Sequence, residues 1–169
     1  MSPRRSSFVP LFGLFCLPAL ADAQPVAPND TVISLQRGNC EVMECPVYRL
    51  LIFANGDVIW QGRGRVARIG MARSRIEPDR LRALIRDFES IEYFNLENVY
   101  GFHGSGCRSW KPFMPMVITS FSMGGVSKTL SHHAGCVGEI PEKLSALEDR
   151  IDRAANTARW IAGKPSTRH

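Results

Sequence analysis

The feature that most constrains this chain is a pair of apolar runs joined by Asn55-Gly56. Val47 to Ala54, VYRLLIFA, is apolar on both faces apart from Arg49, and Asp57 to Gln61, DVIWQ, follows the Asn-Gly pair. A short apolar run bounded by turn residues reads as a central strand. Asn and Gly both tolerate φ > 0, as a two-residue type I′ hairpin requires. An antiparallel hairpin centred there pairs Phe53 with Val58 and Leu51 with Trp60. A second hairpin is expected farther on: Met116 to Met123 as a strand, Gly124-Gly125 as the turn, Val126 to His132 as the return. Thr31 to Gln36 alternates weakly and reads as one more strand. The segment GRGRVARIGMARSRI, from Gly62 onward, continues the first hairpin as a strand or ribbon dense in arginine.

Each run of strands is followed by a helix. Pro78 fits the first turn of one, where its missing N–H costs nothing. Leu81, Leu84, Ile85, Phe88 and Ile91 follow at helical spacing, with Arg82, Arg86 and Asp87 on the other face. A second helix is expected from about Glu139, with Pro141 in its first turn and Ile140, Leu144, Leu147 and Ile151 as its apolar stripe. Trp160 and Ile161 are expected to dock back on the body. The predicted fold class is therefore α+β: an antiparallel β-sheet built from hairpins with two α-helices packed on one face.

The N-terminus carries a targeting pattern. Arg4 and Arg5 precede the apolar run Phe8 to Leu20, and Ala21-Asp22-Ala23 fits a small-x-small cleavage site. The run is too short to span a bilayer and holds Pro10 and Pro18. Residues 1–23 therefore read as a signal peptide, 24–30 as a proline-bearing linker, 31–161 as a single α+β domain and 162–169 as a disordered tail. Net charge is +5 over 169 residues. Loss of Arg4, Arg5 and Asp22 leaves the balance mildly basic, which permits contact with anionic surfaces without demanding it. The expected location is periplasmic or extracellular, with no transmembrane segment in the mature chain.

Four cysteines remain after the signal: Cys40, Cys45, Cys107 and Cys136. An even count in an exported chain favours disulfides, because the compartment is oxidising. Four cysteines allow three connectivities. The Gly124-Gly125 hairpin brings the segments before Met116 and after His132 to one sheet end, which leans toward Cys107–Cys136 with Cys40–Cys45 as a local loop. In the chain-entropy description the short loop contributes about 2 kcal/mol and the long one about 3.5 kcal/mol. A redox centre needs closely spaced cysteines at a helix start, whereas Cys45-Pro46 precedes a strand.

Other chemistry is thinly supported. A zinc site would have to be assembled from Cys40, Cys45 and scattered His103, Cys107, His132, His133 and Cys136. His132 and His133 are strand neighbours pointing to opposite faces, and they read as solvent-facing or turn histidines. GFHGSGC, Gly101 to Cys107, lacks the Gly-Lys-Ser/Thr ending of a phosphate loop. The acidic residues lie mostly beside arginines on helix faces, where solvated ion pairs are expected. No metal, cofactor or catalytic residue is predicted.

Two features suit a partner. Arg63, Arg65, Arg68, Arg73 and Arg75 crowd one probable strand and its flanks, with Arg80, Arg82 and Arg86 beyond. Odd and even positions of a strand face opposite ways, so these make no single stripe, and the plain reading is an edge strand blunted by charge. Tyr100, Phe102, Trp110 and Phe113 lie in a glycine-bearing connection and form the candidate partner surface, unless they fold down to cap the sheet.

The stretch CEVMECPVYRLLIFANGDVIWQG resembles the opening signature of bacterial exported proteins of the domain of unknown function family 6438. The matching positions are Cys40, Cys45, Pro46, Tyr48, Asn55, Gly56, Trp60 and Gly62. FESIEYFNLENVYG and LSALEDRIDRAANTARWI are similar to it as well, so the resemblance runs from Thr31 to Ile161. It implies no activity. Where members carry a Thr-Asp pair after the middle tyrosine, this chain has Cys107-Arg108, which makes Cys107–Cys136 an added crosslink of this branch.

The expected function is an exported, disulfide-stabilised, non-enzymatic binding or envelope-accessory module. Its partner would be an envelope protein or an anionic surface, not nucleic acid. The alternative is a metal-binding or thiol-dependent enzyme using the cysteines with His103 or His132. Intact mass of the exported protein separates these: two disulfides gain about four hydrogens on reduction. Free thiols with stoichiometric zinc would reverse the reading.

Overall fold

A glycine in the left-handed region closes the first hairpin, and it sets the register of everything that follows. In the computed structural model, residues 30–38, 40, 45–101 and 106–162 are described. The strands and helices are β1 (Thr31–Arg37), β2 (Val47–Phe53), β3 (Asp57–Gly64), β4 (Gly70–Arg75), α1 (Pro78–Ser90), β5 (Val99–Tyr100), β6 (Ser109–Trp110), β7 (Met116–Met123), β8 (Val126–His133), β9 (Cys136–Val137), α2 (Glu139–Ala155) and α3 (Ala158–Ile161). A 3-10 turn, Tyr93–Asn95, follows α1. The fold is α+β: one seven-stranded sheet in the order β4-β3-β2-β1-β7-β8-β5, with β6 and β9 as a separate two-stranded ribbon. All neighbours pair antiparallel except β5, which joins β8 in parallel at the edge. Both helices begin near the expected residues, and Pro78 opens α1.

The first hairpin turn differs from the expected one. Gly56 N–H donates to the Phe53 carbonyl at 2.9 Å, and Gly56 alone of the turn residues takes positive φ, at 86°. Asn55 instead uses its side chain, whose Oδ1 accepts from Asp57 N–H at 2.9 Å. The loop thus holds three residues, a type I turn closed by a left-handed glycine. The pairs become Leu50 with Trp60 and Ile52 with Val58, not Leu51 with Trp60 and Phe53 with Val58. A one-residue shift exchanges the two faces of a strand. It puts Tyr48, Leu50 and Ile52 with Val58 and Trp60 on the buried face.

The same registers carry that inner face across the sheet. Ile33 and Leu35 of β1 sit beside it, and Val117, Thr119 and Phe121 of β7 continue it. Both long helices cover it. Phe88 of α1 stacks on Phe121 with ring centroids 4.5 Å apart, and Leu144, Leu147 and Ile151 of α2 are fully buried. Trp60 lies between Tyr48, at 4.5 Å, and Trp160 of α3, at 5.1 Å. Trp160 therefore docks back as expected, and backbone bonds from Ala67 and Arg68 to Ile161 and Trp160 hold the β3–β4 turn to α3. No helix among the described residues is long and apolar enough to cross a membrane.

Two substitutions on β7 test this division of faces. Phe121→Ala removes a fully buried ring and should cost about 3–5 kcal/mol in urea unfolding. Ile118→Ala, on the opposite face, should cost well under half as much.

Candidate functional site

The covered and open faces of the sheet have different chemistry. Arg37 and Tyr48 are register partners on β1 and β2, so both point inward, toward the second half of α2. There Asp152 accepts from Tyr48 OH at 2.6 Å, from Arg37 Nε at 2.8 Å and from Thr157 Oγ1 at 3.0 Å. Arg37 also donates to Asp149 at 3.2 Å and comes within 4.0 Å of Glu148. One turn before Asp152, Glu148 meets His132 of β8, with Oε1 and Nδ1 2.9 Å apart. Glu148 and His132 are 1% and 0% exposed, a degree of burial that an ionisable pair tolerates only when bonded.

The electrostatics keep these groups as they are. Burial pushes the Tyr48 phenol far above its ordinary range, and Asp152 adds to the effect while Arg37 opposes it. Burial works against the charge of Arg37, but Asp152, Tyr48 and Glu148 outweigh it and hold the guanidinium above its ordinary value. Burial raises the Glu148 carboxyl, with His132 and Arg37 in partial opposition. Tyr48 is therefore a permanent donor, and Asp152 accepts three bonds. This constellation ties sheet to helix, and the buried His132 Nε2 is its one ring nitrogen with no hydrogen-bond partner among the described residues. A cleft of about 440 Å³ opens beside it, lined among others by Arg37, Pro46, Tyr48, Pro115, Asp152 and Ile161.

The sequence-predicted residues divide as follows. Cys40–Cys45 and Cys107–Cys136 form two disulfides, with Cα separations of 5.5 and 5.1 Å. These bonds consume the thiols that a metal or thiol enzyme would need. Among the described residues no group of three or more His, Cys, Asp and Glu could hold a metal ion. His103 and Phe102 lie outside the described residues, as do residues 1–23, expected as a signal peptide, and nearly all of the expected linker and tail. Tyr100 is 4% exposed and belongs to the core, so it is not part of a partner surface. Trp110 stacks on His133 at 3.8 Å and caps one corner of the sheet. Phe113 is half exposed. Of the three described aromatics, Tyr100 is buried, Trp110 partly buried and Phe113 exposed, so they present no common exposed patch.

Two expectations are corrected outright. His132 and His133 are buried rather than solvent-facing, because Glu148 and Trp110 cover them from opposite sides of the sheet. Glu148 is likewise no solvated helix residue. The signal for it was present: Glu148 falls between Leu147 and Ile151 and four residues after Leu144, inside the apolar stripe, where a charged side chain calls for a buried partner.

The outer face of the sheet is open. Arg73, Ile59, Leu51, Ser34, Ser120 and Thr129 form one row across six strands. A second row runs from Met71 through Gln61, Arg49, Gln36 and Ile118 to Ser131. The arginines expected to scatter are sorted here. The β3–β4 turn takes up Arg65 and Arg68, and Arg63, Arg73 and Arg75 share the outer face with Arg49, all four exposed. The described residues of β4 form the sheet edge, as the charge pattern suggested.

A comparison with known families finds that residues 31–155 match the model described as Domain of unknown function (DUF6438). No curated protein matches the chain.

The raised Glu148 carboxyl makes a signed prediction. A proton bound more tightly in the folded state stabilises it at low pH, and that stabilisation is lost as pH rises from the unfolded value, about 4.3, through the folded one. Unfolding free energy of the wild type should therefore fall with pH relative to Glu148→Gln, measured by urea titration across that window. Parallel curves would show that Glu148 is not perturbed.

Proposed function

We propose, for a chain that belongs to the domain of unknown function family DUF6438, that it is an exported, non-enzymatic binding module that docks its partner on the outer face of the sheet. The observation that carries this reading is the one-sided packing. Seven strands present one face to the helices, and the other stands open with its side chains in register. Antiparallel sheets tolerate such a solvated face. A rigid platform of exposed arginine beside apolar Leu51, Ile59 and Met71 has the composition of an interface. The inner polar groups, by contrast, are engaged with one another.

Two disulfides support export, since such bonds persist in oxidising compartments. The targeting pattern of residues 1–23 supports the same route and a periplasmic or extracellular location. A rigid scaffold also lowers the entropy lost on docking, and both disulfides stiffen connections at the rim of the sheet.

Photo-crosslinking in the producing cells tests the docking face. A photoreactive residue in place of Gln61 or Thr129 should give adducts of the exported protein. The same residue in place of Ala83 or Glu89, exposed on α1, should give none. Equal adducts from both faces would overturn the reading.

A further inference from the structure

The outer face is not chemically uniform, and its division identifies a partner class. The half built from β2, β3 and β4 carries Arg49, Arg63, Arg73 and Arg75. Asp57 is the one acid there among the described residues, and it sits 3.7 Å from Arg75. Neither the Arg49 nor the Arg73 side chain has an ion pair or hydrogen bond among the described residues. The half built from β1, β7 and β8 is neutral and hydroxyl-rich: Ser34, Gln36, Ser120, Ser122, Ser127 and Thr129. Ser120 bonds Thr129 and Ser122 bonds Ser127, each at 2.8 Å, so the hydroxyls are held in place.

Resting on the docking-face reading above, we propose that the partner is an anionic polysaccharide laid across the strands. Arginine forks pair bidentately with carboxylate or other oxyanions. The ordered serine, threonine and glutamine side chains offer donors and acceptors to sugar hydroxyls. Adjacent strands lie about 4.8 Å apart, close to the length of one sugar unit in an extended glycan, so successive units meet successive strands. Of the apolar side chains of this face, Leu51 and Ile59 are register partners and line a small cleft with Met71, while Ile118 stands apart between Gln36 and Ser131. That cluster is small and flanked by Arg49, Gln61 and Arg73, which suits a polar, anionic chain better than a bilayer.

The test is binding of the exported protein to polygalacturonate, with neutral dextran and vesicles of equal parts phosphatidylcholine and phosphatidylglycerol as comparisons. Polygalacturonate should bind, dextran should not, and vesicles should bind far more weakly. The double variant Arg49→Ala/Arg73→Ala should lose about tenfold or more in affinity. Ser120→Ala/Thr129→Ala should weaken binding at constant salt dependence. Arg82→Ala/Arg86→Ala, on exposed α1, should leave it unchanged. Equal losses from the two arginine pairs would show mere attraction to a basic surface and overturn the proposal, as would tighter binding to vesicles. Unbound polygalacturonate alongside outer-face crosslinks in cells would sink this inference and leave the docking reading standing. Loss of those crosslinks would remove both.

Discussion

The interaction on which the rest of this structure depends is the partly buried contact of Asp152 with Arg37, Tyr48 and Thr157. It joins the end of β1, the start of β2 and the last turn of α2 in one set of charge-assisted hydrogen bonds. Such bonds are directional, unlike apolar contact, so they fix how α2 lies on the sheet as well as that it lies there. Glu148 and His132 repeat the device one turn earlier, toward β8. Removing one member would leave its partners buried and unmatched, which is costlier than losing the bond itself.

With α2 held in this way, α1 and the 3-10 turn after it pack Phe88 and Tyr93 against Phe121, and the C-terminal α3 seats Trp160 on Trp60. The helices thus fall on one side, and among the described residues Trp110 of β6 covers only the His133 corner of the other. The consequence is an open face whose strands cannot slip, since a shift of one residue would bury arginines and expose Trp60 and Tyr48. The rigidity that suits a docking surface comes from the packing beneath it. The parallel strand β5 and the charged strand β4 stand at the two edges, and β4 carries arginine where pairing with another chain would otherwise be invited.

Much of the fold was legible in the residues, because its signals are local. Gly124-Gly125 between alternating runs, prolines in the first turns of helices and an apolar stripe at helical spacing each act within a few residues. The first hairpin was legible in outline and misread in detail. Asn-Gly favours a two-residue turn, yet the Asn55 side chain satisfies Asp57 N–H and lets Gly56 alone turn left-handed. The histidines and Glu148 were misread for another reason. Each is an ordinary surface residue until its partner, distant along the chain, arrives to cover it.

By itself the sequence determined the order of the long strands and helices, the α+β class, the targeting pattern and the stock of cysteines, since composition and short-range periodicity encode these directly, whereas the short strands β5, β6 and β9 fell in segments that read as irregular. Tertiary structure alone decided which face of each strand is covered, which cysteines meet, and that Arg49, Arg63, Arg73 and Arg75 share one surface. The reason is physical. Strand register is a cooperative property of many weak pairings and one turn geometry, and a single residue of shift carries every side chain to the other face.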